Sequence, residues 1–233
     1  MRLHSIIHAP FEKPGIITDW ANEKGFQISE THTYRGEQLP APSAFDFLII
    51  MGGPQSPLEC DRYPYIKDEI NLTKSAINHK KFILGFCLGA QIIGEALGAA
   101  TERSPNKEVG IFPITLTDAG TQDPIFKNFS PVFDVIHWHN DMPGIPEGAE
   151  LLAKSDGCPK QAFRYGDRVY ALQFHMEITA SLLKGMVEHC PGDLKPGKYI
   201  QSAHELSTAN VSDINEKMIF VLDYLAKQFH DKI

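Results

Sequence analysis

The order of apolar runs and turn signals in this 233-residue chain predicts an α/β protein. The expected architecture is a mostly parallel, flavodoxin-like open sheet flanked by helices on both faces, with an added antiparallel β section in the second half. Three observations carry it. FDFLIIM at 45–51 and FILGF at 82–86 are continuous apolar runs suited to strands buried on both faces. Helical patterns stand between such runs through the first hundred residues, the alternation that gives a covered parallel sheet. After residue 100 the strand-like pieces are short and divided by turns such as Tyr165-Gly166-Asp167.

Taken in order, RLHSIIH at 2–8 reads as a first strand. Residues 14–24 read as a helix with Ile17, Trp20 and Ala21 on one face and Gly25 at its end. Strands follow at 26–30 and 45–51, the latter stopped by Gly52-Gly53-Pro54. A helix over 65–79 precedes the strand 82–86, and 88–97 is a short helix ending at Gly98. Strands are expected at 111–117, 132–138, 149–155, 161–165 and 169–174, then helices at 178–189 and 212–229. The last helix carries Ile214, Met218, Val221, Leu222 and Leu225 at core spacing. Pro191 to Gly197 reads as a mobile connector. One domain over 1–233 accommodates all of this.

Composition narrows the function classes. The chain is 42% hydrophobic and 22% charged, with 29 acids against 22 bases and a net charge of −7. That balance argues against a nucleic-acid backbone as partner. No apolar run approaches the roughly 18 residues of a membrane span. His4, His8 and Glu12 interrupt any leader-like stretch, so a cytoplasmic protein is expected. Cys60, Cys87, Cys158 and Cys190 form no CxxC, so free thiols are expected, with no cofactor.

The chemistry concentrates at strand ends. In GFCLGAQ at 85–91, Cys87 stands where a buried strand turns into a helix, with Gly85 and Gly89 two residues to either side. A sharp strand-to-helix turn lifts one side chain above the sheet edge, and small neighbours relieve the crowding. Free N–H groups at the helix start favour a thiolate there. A cysteine nucleophile needs a base, and the base needs an orienting group. In ALQFHME at 171–177, His175 and Glu177 point the same way if the segment is extended. GGPQSP at 52–57 is a third strand-end feature, whose glycines let a backbone N–H face a site. Open α/β sheets collect their sites at such carboxyl ends.

At these residues, together with QAFRYGD at 161–167, the chain resembles the class I (triad-type) glutamine amidotransferases. It is most similar to stand-alone proteins like the glutaminase domain of GMP synthetase. The resemblance implies that Cys87 attacks the side-chain amide of glutamine, His175 moves the proton and Glu177 orients His175. It implies further that the N–H groups of Gly53 and Leu88 form the oxyanion hole, and that Gly52 and Gln91 serve substrate binding. The segment 137–141, HWHND, falls where the family lines its glutamine pocket. Two departures stand out. Met176 replaces the usual proline between His and Glu, which leaves φ unfixed. There is also no P-loop and no synthetase domain, so the ammonia goes to a synthetase partner or the reaction ends as hydrolysis.

Other readings keep the same nucleophile. A γ-glutamyl peptide or amide would present the same bond with a different leaving amine. A dienelactone-type hydrolase would also use a GxCxG elbow, with an acid such as Asp123, Asp134, Asp141 or Asp156, but it leaves the HxE pair and the GGP loop unexplained. A degenerate regulatory protein would not need all three triad residue types. His137 and His139 share one strand face; with no third ligand evident nearby, they read as pocket lining, and no metal is expected.

Overall fold

The computed structural model describes residues 1–231; Lys232 and Ile233, the last two of the expected domain, lie outside the described residues. One nine-stranded mixed sheet runs through the molecule in the order β2-β1-β3-β4-β9-β8-β7-β5-β6. Its parallel half is β2 (Gln27–His32), β1 (Arg2–Ile7), β3 (Phe47–Ile50), β4 (Phe82–Phe86) and β9 (Val169–Leu172). Its antiparallel half is β8 (Ala162–Tyr165), β7 (Ala149–Lys154), β5 (Glu102–Leu116) and β6 (Val132–Met142).

The continuous apolar runs do what full burial requires. Successive residues of β3 enter opposite layers: Phe47 and Ile49 pack on one face, Leu48 and Ile50 on the other. The first layer is closed by α1 (Ile16–Glu23) and α7 (Ser212–His230), through Ile17, Trp20, Met218 and Leu222. Trp20 donates its indole N–H to Asp223 at 2.9 Å, joining the two helices. The stripe on α7 is therefore core. The second layer is closed by α2 (Tyr65–Asn78) and α3 (Leu88–Ala96). The flanked α/β sheet and its antiparallel section stand as expected.

Three local readings needed correction. β5 begins at Glu102, nine residues before the apolar part that announces it; its first half is polar and broken by a bulge between Arg103 and Glu108. Two short helices, α4 (Asp118–Gln122) and α6 (Ala203–Ser207), are too brief to show a period; α5 (Ala180–His189) lies as expected. The supposed mobile connector is tied down at Asp193, which accepts from Lys107 at 2.5 Å and from the Trp138 indole at 2.9 Å. Among the described residues, no helix is long and apolar enough to cross a membrane.

The register explains where chemistry gathers. β4 and β9 are parallel neighbours with Phe86 opposite Leu172, so both chains leave the sheet at the same edge. The Cys87 N–H donates to Leu172 O at 2.8 Å. The antiparallel half curls until β6, last in the order, meets the segment beyond β9, with Ile136 bridging His175.

Candidate active site

Cys87 occupies the turn between β4 and α3 with φ 50° and ψ −105°. A non-glycine residue held there stores on the order of 1–3 kcal/mol of strain. Gly85 and Gly89 are required, as the spacing implies. A Cβ on Gly85 would lie 2.6 Å from the Gly89 carbonyl, and one on Gly89 would lie 2.1 Å from Ile50 O. The Cys87 side chain is nearly buried, with Sγ 3.6 Å from the carbonyl of Trp138. Cys87→Gly is expected to be more stable than Cys87→Ala by about 1 kcal/mol, because glycine adopts this backbone without strain and loses part of that gain to unfolded-state entropy. Urea midpoints of the two variants test this.

His175 stands beside Cys87: a Cβ on Gly52 would lie 2.9 Å from His175 Cε1 and 3.5 Å from Cys87 Cβ. On its other side Nδ1–H donates to Glu177 Oε1 at 2.6 Å. All three side chains sit together, as the sequence pattern anticipates. The histidine backbone is clamped from both directions: Ile136 N–H donates to His175 O at 3.1 Å, and His175 N–H to Ile136 O at 2.8 Å. Burial works to lower the imidazole pKa, but the Glu177 charge, the nearby Cys87 side chain and the hydrogen bond that the ring donates to Glu177 outweigh it and hold the pKa well above its ordinary value.

Met176 is not the weakness its difference from proline implies. It is fully buried, and its N–H donates to Glu177 Oε2 at 3.0 Å. Proline has no N–H to give. One carboxylate oxygen thus orients the histidine while the other is held by the backbone. Asn215 of α7 ties the same turn by donating to Met176 O at 2.8 Å and Ile178 O at 3.1 Å.

The remaining expected residues surround the thiol. Leu88 is the first residue of α3, where an N–H has no intrahelical acceptor. A Cβ on Gly53 would come within 3.1 Å of Leu88 Cδ2, so the two expected oxyanion donors are neighbours. Gln91 donates through Nε2 to Gln173 Oε1 at 3.1 Å, and its own Oε1 is buried without a protein partner. Cys87, Gly53 and Gln91 line a cavity of about 300 Å³. Gly52 lies against the histidine and the thiol, where a Cβ would be 2.9 Å from His175 Cε1 and 3.5 Å from Cys87 Cβ.

Sequence reasoning missed several buried polar groups. His8 donates from Nδ1 to Gly52 O at 3.1 Å and pairs through Nε2 with Glu69 at 3.0 Å. Burial works to lower the His8 pKa, and the Glu69 charge reverses this and raises it. Fixing the Gly52 carbonyl fixes the whole peptide plane, and with it the Gly53 N–H. Glu12 lines the cavity; burial, followed by the opposing influence of His175, leaves its carboxyl pKa raised. His8 and Glu12 were visible in the sequence only as interruptions of an apolar stretch, and Glu69 sits at an ordinary helix position.

The segment around 137–141 lies in β6 beside the cavity, as expected. Asp141 accepts from Ser56 and from Arg103, both at 2.6 Å, joining the GGPQSP loop to β5. The expectation that His137 and His139 lack a third group is corrected: Glu108, 29 residues before His137 on β5, stands 3.2 Å from His139 Nε2. Adjacent antiparallel strands made that meeting, which no local spacing encodes. Among the other thiols, burial raises the pKa of Cys60 and of Cys158 and lifts Cys190 to about 11. Cys190 borders the cavity.

A strained cysteine, a histidine beside it and a buried carboxylate behind that histidine stand together at the carboxyl edge of a parallel sheet, an arrangement suited to thiol chemistry of the triad type. The family model described as glutamine amidotransferase class-I matches residues 22–188, and the chain belongs to this family of glutamine-hydrolysing enzymes. The chain is 42% identical over 233 residues to the glutamine amidotransferase-like protein YfeJ of Salmonella typhimurium, covering 97% of each. It is 31% identical over 145 residues to one subunit of the glutamine-hydrolysing GMP synthase of Methanocaldococcus jannaschii, spanning 61% of this chain and 70% of that one. The crystal structure of a glutamine amidotransferase from Thermotoga maritima superposes with a TM-score of 0.87 at 26% identity, covering 97% of both chains.

Proposed function

We propose that the chain hydrolyses the side-chain amide of glutamine through a γ-glutamyl thioester on Cys87. The observation that carries this is the grouping of Cys87, which lines the cavity, with His175 beside it and Glu177 hydrogen-bonded to His175. His175 draws the thiol proton, and the sulfur attacks the amide carbon. The developing oxyanion sits between the N–H groups of Gly53 and Leu88. His175 returns the proton to the departing nitrogen, so ammonia leaves and the thioester remains. Water, deprotonated by the same histidine, then breaks the C–S bond to give glutamate and the free thiol. Gln91 offers an unpartnered buried carbonyl oxygen to the substrate. His8 holds the Gly52–Gly53 peptide so that the oxyanion donor is set in advance.

The similarity to a GMP synthase component supports an ammonia-consuming synthetase as partner. The test of the catalytic reading is a panel of glutamine and γ-glutamyl amides and peptides, with glutamate and released amine both quantified. Equal amounts of glutamate and ammonia, with glutamine turned over fastest, are expected. Faster turnover of a γ-glutamyl peptide would replace glutamine as substrate while keeping the triad.

The raised pKa of His175 gives a pH prediction. The folded protein binds this proton more tightly than the unfolded chain, so the group's contribution to stability is complete below about pH 6.5 and is lost as pH rises through the raised folded value. Removing the Glu177 charge takes away the largest influence that opposes burial. In Glu177→Gln the His175 imidazolium should therefore deprotonate at lower pH than in the parent. Histidine NMR titrations of the two proteins show the shift directly, and an unchanged His175 titration would contradict it.

A further inference from the structure

Beside the cavity lies a second, buried cluster: Glu108 on β5, His137 and His139 on β6, and Gln161 just before β8, each 5% exposed or less. Its hydrogen bonds place one proton on each histidine ring. His137 Nε2 faces Phe112 O at 3.2 Å, and His139 Nδ1 faces Asp141 O at 3.1 Å. A carbonyl oxygen only accepts, so those two nitrogens carry the protons. In the neutral form of each ring the other nitrogen turns a lone pair inward. Both lone pairs converge on Glu108 Oε2, which is 3.8 Å from His137 Nδ1 and 3.2 Å from His139 Nε2.

Three electron-rich atoms thus meet in a water-excluded space. The Gln161 amide relieves them only in part. Its Nε2 carries two protons but stands near four acceptors: Glu108 Oε2 at 2.7 Å, Ser155 Oγ at 2.9 Å, and His137 Nδ1 and His139 Nε2 at 3.3 Å each. Its Oε1 is buried without a partner. Four donors around a zinc-like ion, bonded at roughly 2.0–2.2 Å, are separated from one another by roughly 3.3–3.6 Å. The separations of Glu108 Oε2 and the two imidazole nitrogens from one another or from the Gln161 amide nitrogen run from 2.7 to 3.8 Å where they pair, spanning that range, and the three ligand atoms all lie within 4.8 Å of one another. Turning the amide over would present its oxygen as the fourth donor. Imidazoles whose far nitrogens donate to backbone carbonyls are also the usual arrangement behind a metal.

We propose that Glu108, His137 and His139, completed by Gln161, form a binding site for a divalent first-row cation of the zinc type. The donor set is two neutral imidazoles, one carboxylate and one amide oxygen. Four protein donors and burial of all four residues make the site structural, although the His139 ring also borders the cavity. Its effect falls on β6. That strand places the Trp138 carbonyl against Cys87 and clamps His175 through Ile136. An ion joining β5, β6 and β8 would hold these catalytic contacts in register without taking part in chemistry.

The test uses the full chain carrying Cys87→Ser, so that the catalytic thiol offers no competing ligand. Chelator-stripped protein is titrated with Co²⁺ and followed by visible absorption and by thermal melting. The expected result is saturable uptake of about one equivalent, with the absorption of a four-coordinate nitrogen–oxygen site, no sulfur charge-transfer band, and a melting temperature that rises with cobalt. Adding Glu108→Gln or His139→Gln should weaken uptake by at least about tenfold. Both replacements keep a polar side chain of similar length, and melting of the stripped variants verifies that they fold. Uptake left unchanged by both replacements, sulfur charge-transfer absorption, or no uptake at all would overturn the site. The cluster would then be a network held by a proton alone.

Discussion

Cys87→Ala is expected to release ammonia from glutamine more slowly than the parent by on the order of 10⁴-fold or more, while its far-UV spectrum and melting stay close to the parent's. The thiol is small and nearly enclosed, so its loss changes little packing. It removes the only atom at the elbow able to form a thioester. His175→Ala should fall by a similar factor, because in the proposed mechanism the imidazole both receives the thiol proton and delivers one to the leaving nitrogen. The double variant should be little worse than either single one, since members of a triad act as a unit. Initial rates of glutamate formation, measured with a coupled dehydrogenase, decide the matter. A double variant slower than both singles by the product of their losses would mean that the two side chains act independently.

Gly89→Ala should be the most damaging single methyl group that can be added to the elbow. The new Cβ would sit 2.1 Å from Ile50 O and 2.8 Å from Ile50 C. Those atoms belong to the backbone of β3, in the middle of the parallel half, and no rotamer change moves them. Either α3 withdraws from the sheet or β3 bends. We expect a loss of about 3 kcal/mol, the upper part of the range for overpacked positions, and hence a melting temperature lower by roughly 6–12 °C for a chain of this size. Activity should fall as well, because a shifted α3 carries the Leu88 N–H away from the thiol. Gly185→Ala is the matching control. It lies inside α5 with nothing within 4 Å of its added methyl, and it should be neutral or stabilising by up to about 1 kcal/mol. Equal melting of the two variants would show that the close approach of α3 to β3 is not rigid.

What the sequence could express depended on the distance over which each feature is encoded. FDFLIIM and FILGF announce buried strands because every residue meets a packed layer, and the elbow is visible because its glycines stand two residues from the cysteine. The HxE pair is legible for the same reason: both side chains come from one short segment. Features assembled across the sheet left little trace. Glu108 reaches His139 only because β5 pairs with β6. His8 reaches Gly52 only because β1 lies beside β3. The polar half of β5 lacks an apolar alternation, since Arg103, Lys107 and Glu108 turn to charged or polar partners instead of a core. Met176 shows the opposite limit: its identity was plain, but the value of its N–H required the position of Glu177.

The central claim is that one of four thiols is made nucleophilic toward the glutamine side chain. Incubation with an electrophilic glutamine analogue, followed by intact-mass and peptide mass spectrometry, tests it most directly. The account predicts a single adduct, carried by the peptide containing Cys87, suppressed by excess glutamine and absent from His175→Ala over the same time. Labelling of Cys60, Cys158 or Cys190 in its place, or labelling of Cys87 that glutamine does not slow, would contradict it.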